Sequence, residues 1–100
     1  MTLQLRIYTI NRGKMEAFTE GWLKGVYPLR LKHGFTIPGA WVMEKTNQFV
    51  WLVGCADQED WEAKERAYYA SPERHALDPD PAQYIARTEQ YFVKTIVPSP

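Results

Sequence analysis

Arg6 is the residue of this 100-residue chain best placed to do chemistry. It stands in Leu3-Gln4-Leu5-Arg6-Ile7-Tyr8, an alternating run that puts Leu3, Leu5 and Ile7 on one face of a strand and Gln4, Arg6 and Tyr8 on the other. If that strand is central and covered on both sides, Arg6 and Tyr8 point into covered space. A buried guanidinium requires a carboxylate or a ligand anion. Arg6 therefore has two readings. It bridges to a carboxylate and closes an otherwise apolar layer, with Glu89 on the last strand as the candidate partner. Alternatively, it grips the anionic group of a ligand at the floor of a pocket. Tyr8 and His33 are the candidates for moving a proton, although a histidine at a helix C-terminus is also favoured by the helix dipole alone. The candidate catalytic residues are thus Arg6, Tyr8 and His33. The candidate ligand-binding residues are Arg6, Tyr8, Phe18, Trp22, Trp41 and Trp51. These aromatic residues could enclose a flat organic molecule or simply fill a core.

Other chemistries lack their residues. His33, His75 and Cys55 do not form a metal-ligand pattern, and neither a metal nor a cofactor is expected. No serine or cysteine sits in a nucleophile context, and Asn11-Arg12-Gly13-Lys14 lacks the spacing of a phosphate-binding loop. A single cysteine excludes an internal disulfide, and Cys55, inside an apolar strand, reads as a buried, inert thiol. Twelve basic residues balance twelve acidic ones without a basic run, so no nucleic-acid partner is expected. Asp57, Glu59, Asp60, Glu62 and Glu65 read as a solvated helix face. The first residues alternate like a strand rather than forming a signal peptide, and no apolar run reaches membrane-spanning length. A cytoplasmic protein without a membrane partner is the expectation.

One domain must position these side chains. The first strand covers Leu3–Ile10 and breaks at Asn11-Arg12-Gly13. Met15, Phe18, Trp22, Val26 and Leu29 then recur at helical spacing. Pro28 predicts a kink or break near Val26–Tyr27, and Gly34 predicts a left-handed cap. Phe35–Glu44 and Gln48–Ala56 predict a hairpin turning at Lys45-Thr46-Asn47. Its second arm is apolar on both faces: Phe49, Trp51, Val53 and Cys55 on one, Val50, Leu52, Gly54 and Ala56 on the other. An antiparallel strand with one face in water should alternate. Helices can cover one side, and a second copy of the chain is the expected cover for the other. Asp57 predicts the cap of a second helix, with Trp61 and Tyr68 on its inner face and Glu59, Glu62, Lys64, Glu65 and Arg66 on its wet side. Ser71-Pro72 opens a short helix to Leu77, Asp78-Pro79-Asp80-Pro81 is a stiff connector, and the last strand is predicted over Glu89–Val97. The order βαββαβ predicts an α+β, ferredoxin-like antiparallel sheet with the first and third strands central and both helices on one face.

The same residues resemble the NIPSNAP family. Leu5-Arg6-Ile7-Tyr8 leading to Gly13-Lys14, then Pro28-Leu29-Arg30 and His33-Gly34-Phe35, then Gly39-Ala40-Trp41 and the Trp51 strand, follow that family's order. Val97-Pro98-Ser99-Pro100 is similar to its tail. The resemblance implies a dimeric α+β barrel over residues 1–100, a fold shared with small antibiotic-biosynthesis monooxygenases and heme-degrading enzymes. It implies no defined activity. In the heme-degrading relatives a histidine in the region of His75 binds iron and a first-strand asparagine completes the site, but here the matching first-strand residue is Arg6. Two functions remain open. One is cofactor-free binding or oxygenation of an aromatic or polyketide-like ligand between sheet and helices, in an enclosed cavity of ~300 Å³ or more. The other is a non-enzymatic homodimeric interaction module with a filled core.

Overall fold

The computed structural model describes residues 1–97. Its strands are β1 (Thr2–Ile10), β2 (Thr36–Met43), β3 (Gln48–Cys55) and β4 (Ile85–Val93), joined as one antiparallel sheet in the order β2-β3-β1-β4. The first and third strands take the centre, as expected. Helices α1 (Met15–Gly21), α2 (Tyr27–Lys32), α3 (Trp61–Ala70) and α4 (Pro72–His75) complete the ferredoxin-like order. The core lies between helices and sheet and includes Tyr8, Phe18, Trp22, Val26, Leu29, Phe49, Trp51, Val53 and Tyr68. Cys55 is buried within it, and burial pushes its thiol pKa up.

The break expected before Pro28 is absent. A π-helical turn, Trp22–Val26, links α1 to α2 without interruption. The Tyr27 N–H donates to the Trp22 carbonyl five residues back. This wider hydrogen bonding accommodates Pro28, which has no N–H to give. Glycines in this region serve close approach: a Cβ on Gly25 would lie 3.0 Å from Leu77 and one on Gly21 3.2 Å from Pro81. The segment after α4 thereby rests on the helix backbone. Gly34 takes φ +84° after α2, as a left-handed cap demands.

Several boundaries differ from expectation. Asp60, not Asp57, caps α3, accepting from the Ala63 N–H at 3.2 Å. Asp57 instead pairs with the N-terminal amine at 2.7 Å. Ser71 caps α4 as expected, but the helix ends at His75. The last strand begins four residues early, at Ile85, after a 3-10 turn at Pro81–Tyr84 capped by Asp80. The Tyr84 carbonyl already accepts from the Asn11 N–H at 2.8 Å, which anchors the strand's start beside the end of β1. The strand also ends four residues early, at Val93 rather than Val97; Pro98 and Pro100, expected to stop it, lie outside the described residues.

Register assigns the faces. Arg6 opposes Trp51 on β3 and Gln90 on β4, while Leu5 opposes Leu52 and Tyr91. The helix-covered face therefore carries Gln4, Arg6, Tyr8, Phe49, Trp51 and Val53. The other face carries Leu3, Leu5, Ile7, Val50, Leu52, Trp41, Tyr91 and Val93. No helix is long and apolar enough to cross a membrane among the described residues.

Candidate ligand site

β1 presents Arg6 and Tyr8 to the helices because alternation leaves them no other side. α3 lies above them, and its residues 61, 65 and 68 share one stripe. Glu65 thus stands between Trp61 and Tyr68 and faces the sheet. Arg6 donates to Glu65 Oε2 at 2.7 Å, to Gln4 Oε1 at 2.8 Å and to the Tyr69 hydroxyl at 3.2 Å. From α2, Arg30 donates to Glu65 Oε1 and, at 3.2 Å, to the same Tyr69 hydroxyl. Both guanidinium groups are about 1% exposed. One carboxylate therefore serves two buried cations, leaving one positive charge in surplus.

The electrostatics follow from this sharing. Burial alone would raise the Glu65 pKa, but the Arg30 hydrogen bond and charge, and then those of Arg6, outweigh it and hold the carboxyl below its ordinary 4.5. Burial opposes the charge on Arg6, but Tyr8, Tyr69 and Glu65 together hold its pKa above the usual value. Burial pushes the Tyr8 and Tyr68 phenols up, with Arg6 opposing at Tyr8 and Arg30 at Tyr68. Arg74 is held above its ordinary value by Asp80, 3.0 Å away, against the burial that lowers it.

Beside this cluster lies a cavity of about 190 Å³. Tyr8, Phe18, Trp22 and Trp51 form one wall, and Arg30, Tyr68, Tyr69 and Arg74 another. It opens beside β4, where Ala82, Thr88 and Gln90 are exposed. The volume falls below the ~300 Å³ expected of a pocket for a drug-sized ligand.

Four of the six candidate ligand residues, Tyr8, Phe18, Trp22 and Trp51, are brought together on this cavity. Arg6 lies behind them, its guanidinium 5.5 Å from the Trp51 ring centre. Trp41 stands apart, 53% exposed on the opposite sheet face opposite Val50. His33 caps α2 and packs edge-on against Tyr68 at 5.6 Å, but it does not itself line the cavity. The expected Arg6–Glu89 pair does not form. Glu89 opposes Ile7 and so points to the other face, where the Tyr91 hydroxyl donates to it at 2.9 Å. Glu65 is not part of a solvated helix face; its side chain is 17% exposed and doubly ion-paired. Lys64 also leaves the wet side to donate to the His33 carbonyl at 3.0 Å, over the Phe35 ring. Arg30, met only within Pro28-Leu29-Arg30, and Tyr69 were not expected in the site. The signal for Arg30 was its place four residues after Val26 on the buried helical stripe.

The heme arrangement does not fit. Arg6 replaces the first-strand asparagine, and His75 Nε2 is hydrogen-bonded to the Tyr69 carbonyl oxygen at 2.8 Å. No group of three His, Cys, Asp or Glu among the described residues is placed to hold a metal ion.

Solved structures share the whole fold. A NIPSNAP domain protein from Burkholderia xenovorans superposes with a TM-score of 0.84 at 20% identity, over 100% of this chain and 99% of that one. A NIPSNAP family protein from Agrobacterium tumefaciens gives 0.85 at 19% identity, over 99% and 96%. An antibiotic biosynthesis monooxygenase gives 0.69 at 13% identity, over 97% and 100%. These identities establish likeness of fold alone. A comparison with curated proteins gave no significant match. The NIPSNAP family model matches residues 3–100, and the chain belongs to the NIPSNAP family.

Proposed function

We propose that this NIPSNAP chain is a homodimeric small-molecule-binding protein whose ligand occupies the cavity between sheet and helices. The cavity itself carries the reading. Protein interiors are close-packed, with few voids larger than a water. This cleft of about 190 Å³ is smaller than a groove of about 360 Å³ beside Gly21, Gly25 and Leu77, and its reach into the core between Trp22, Trp51, Tyr68 and Arg30 is what marks it. An apolar cavity of ~150 Å³ is enough to take up benzene, so this one has room for a single ring. That space favours a ligand over a wholly filled core, although it is smaller than the expected ~300 Å³ and Arg6 lies behind its lining. The monooxygenase of like fold makes oxygenation of a bound ring the first reaction to assay. The titratable groups on the wall, among the described residues, are Tyr8, Arg30, Tyr68, Tyr69 and Arg74. At neutral pH all are hydrogen-bond donors, suited to holding and orienting a ligand.

The dimer rests on the opposite sheet face. Leu5, Leu52, Trp41, Tyr91 and Val93 leave it broad and apolar, with Trp41 53% and Tyr91 52% exposed. Patches of this kind mark association surfaces, and self-pairing of sheet faces buries the same residues on both copies.

Native mass spectrometry of the purified protein tests both parts. The expected species is twice 11.7 kDa, with small-molecule adducts. Val26→Phe, which inserts a ring into the cavity, is expected to abolish ligand uptake without lowering the melting temperature. Undiminished uptake by that variant would place the ligand elsewhere.

A further inference from the structure

The cavity wall is chemically divided. Its aromatic part is a chain of edge contacts: Phe18 to Tyr8 at 5.9 Å, Tyr8 to Trp51 at 6.2 Å, Trp51 to Trp22 at 5.3 Å. Its polar part gathers around two guanidinium groups. Arg30 lies 3.8 Å from the Tyr68 ring centre, and Arg74 lies 5.6 Å from that of Tyr69. The two parts meet where Arg30 comes within 5.7 Å of the Trp51 ring centre.

Among the described residues, the buried side-chain polar atoms without a hydrogen bond are Trp22 Nε1, Trp51 Nε1, Arg30 Nε, Arg74 Nε and the Tyr68 hydroxyl. All five belong to residues that line this one cavity. All five carry an N–H or O–H to give. Trp51 stands beside Tyr8 and lowers that phenol's pKa against its burial. Buried donors are normally satisfied, and the five unpaired ones, each on a residue of this wall though itself buried, leave the wall short of acceptors. The charge count agrees. Arg6 and Arg30 share Glu65, Arg74 is matched by Asp80, and one positive charge is left over. A neutral acceptor would satisfy the donors but not the charge, and an anion without a ring would leave the aromatic wall unfilled.

We infer that the cavity takes a single-ring aromatic monocarboxylate, with its ring against Trp22 and Trp51 and its carboxylate received by Arg30, Tyr68 and Arg74. The inference rests on the reading of the cavity as a ligand site. It specifies what that reading leaves open, namely the charge and size of the ligand.

The test titrates the full-length protein with benzoate, benzyl alcohol and acetate, by calorimetry and by the indole N–H resonances of the tryptophans. Benzoate is expected to bind once per chain and to shift the Trp22 and Trp51 resonances. Benzyl alcohol and acetate are expected to bind at least tenfold more weakly. Arg74→Met, whose side chain lies at the edge of the cluster, is expected to weaken benzoate at least tenfold and benzyl alcohol by no more than threefold. Benzyl alcohol binding as tightly as benzoate would overturn the carboxylate assignment while leaving the ligand cavity in place. Acetate equal to benzoate would overturn the ring. No resonance shift with any of the three at millimolar concentration, in wild type as in Val26→Phe, would overturn the inference and the ligand cavity together.

Discussion

The two faces of β1 reverse the usual relation between polarity and exposure. The face packed under the helices carries Gln4, Arg6 and Tyr8, all buried. The face without helices carries Leu3, Leu5 and Ile7, all half-exposed in the protomer. An isolated sheet would place these residues the other way round. The reversal teaches that the two faces answer to different demands. The polar face is held by one doubly paired carboxylate and borders a cavity. The apolar face has no helix packed on it among the described residues, and the proposed dimer would cover it.

The largest expected effect breaks the polar face. Glu65→Gln leaves Arg6 and Arg30 buried without a charge partner, and loss of one member of a buried ionic cluster costs ~3–5 kcal/mol. Urea denaturation is expected to register that loss, whereas Glu89→Gln, on the other face, should stay within ~0.5 kcal/mol of wild type. Equal costs at the two positions would dissolve the contrast between the faces.

A second substitution addresses the apolar face. Leu52→Lys sets a charge at the centre of the proposed dimer contact. The expected result is a dimer dissociation constant raised ~100-fold, equivalent to ~2.8 kcal/mol, with the protomer's melting behaviour at low concentration little changed. Sedimentation equilibrium reads it directly, and a monomeric wild type would remove the reason for the apolar face.

A smaller effect sharpens the electrostatic side. The Glu65 carboxyl is depressed below 4.5, so the stability it contributes is present above that value and lost as pH falls through the depressed one. Between neutrality and mild acid the wild-type protein should therefore hold its stability. Below pH 4.5 it should lose stability more steeply than Glu65→Gln does, while Glu89→Gln keeps the wild-type slope. Melting temperatures across an acid series decide it.

Much of this fold was legible residue by residue. The two apolar faces of Gln48–Cys55 pointed to a central strand, and alternation placed Arg6 and Tyr8 together on the covered side. The helical stripe Phe18, Trp22, Val26 and Leu29 foretold the core of α1 and α2. Less of the site was legible. Glu65 sits in a run of charged residues whose composition reads as solvated, although its spacing from Trp61 and Tyr68 put it on the inner stripe. Glu89 was a plausible partner for Arg6 only until the start of β4 was known. Cross-strand pairing of Arg6 with Gln90 turns Glu89 to the far side, because a one-residue change of register exchanges the faces of a strand.

By itself, the sequence of this protein determined the periodicities: which residues alternate, which recur every third or fourth place, where glycine and proline interrupt, and hence the order of strands and helices. Those are properties of neighbours along the chain, set by backbone geometry and side-chain sterics. Only the tertiary structure decided that Arg6, Arg30 and Glu65 meet, the last 59 residues from the first, and that Arg30 shares a cavity wall with Trp22, Trp51, Tyr68 and Arg74. A shared carboxylate and a cavity depend on how a helix seats on a sheet. That seating is a sum over many weak contacts, and no local spacing encodes it.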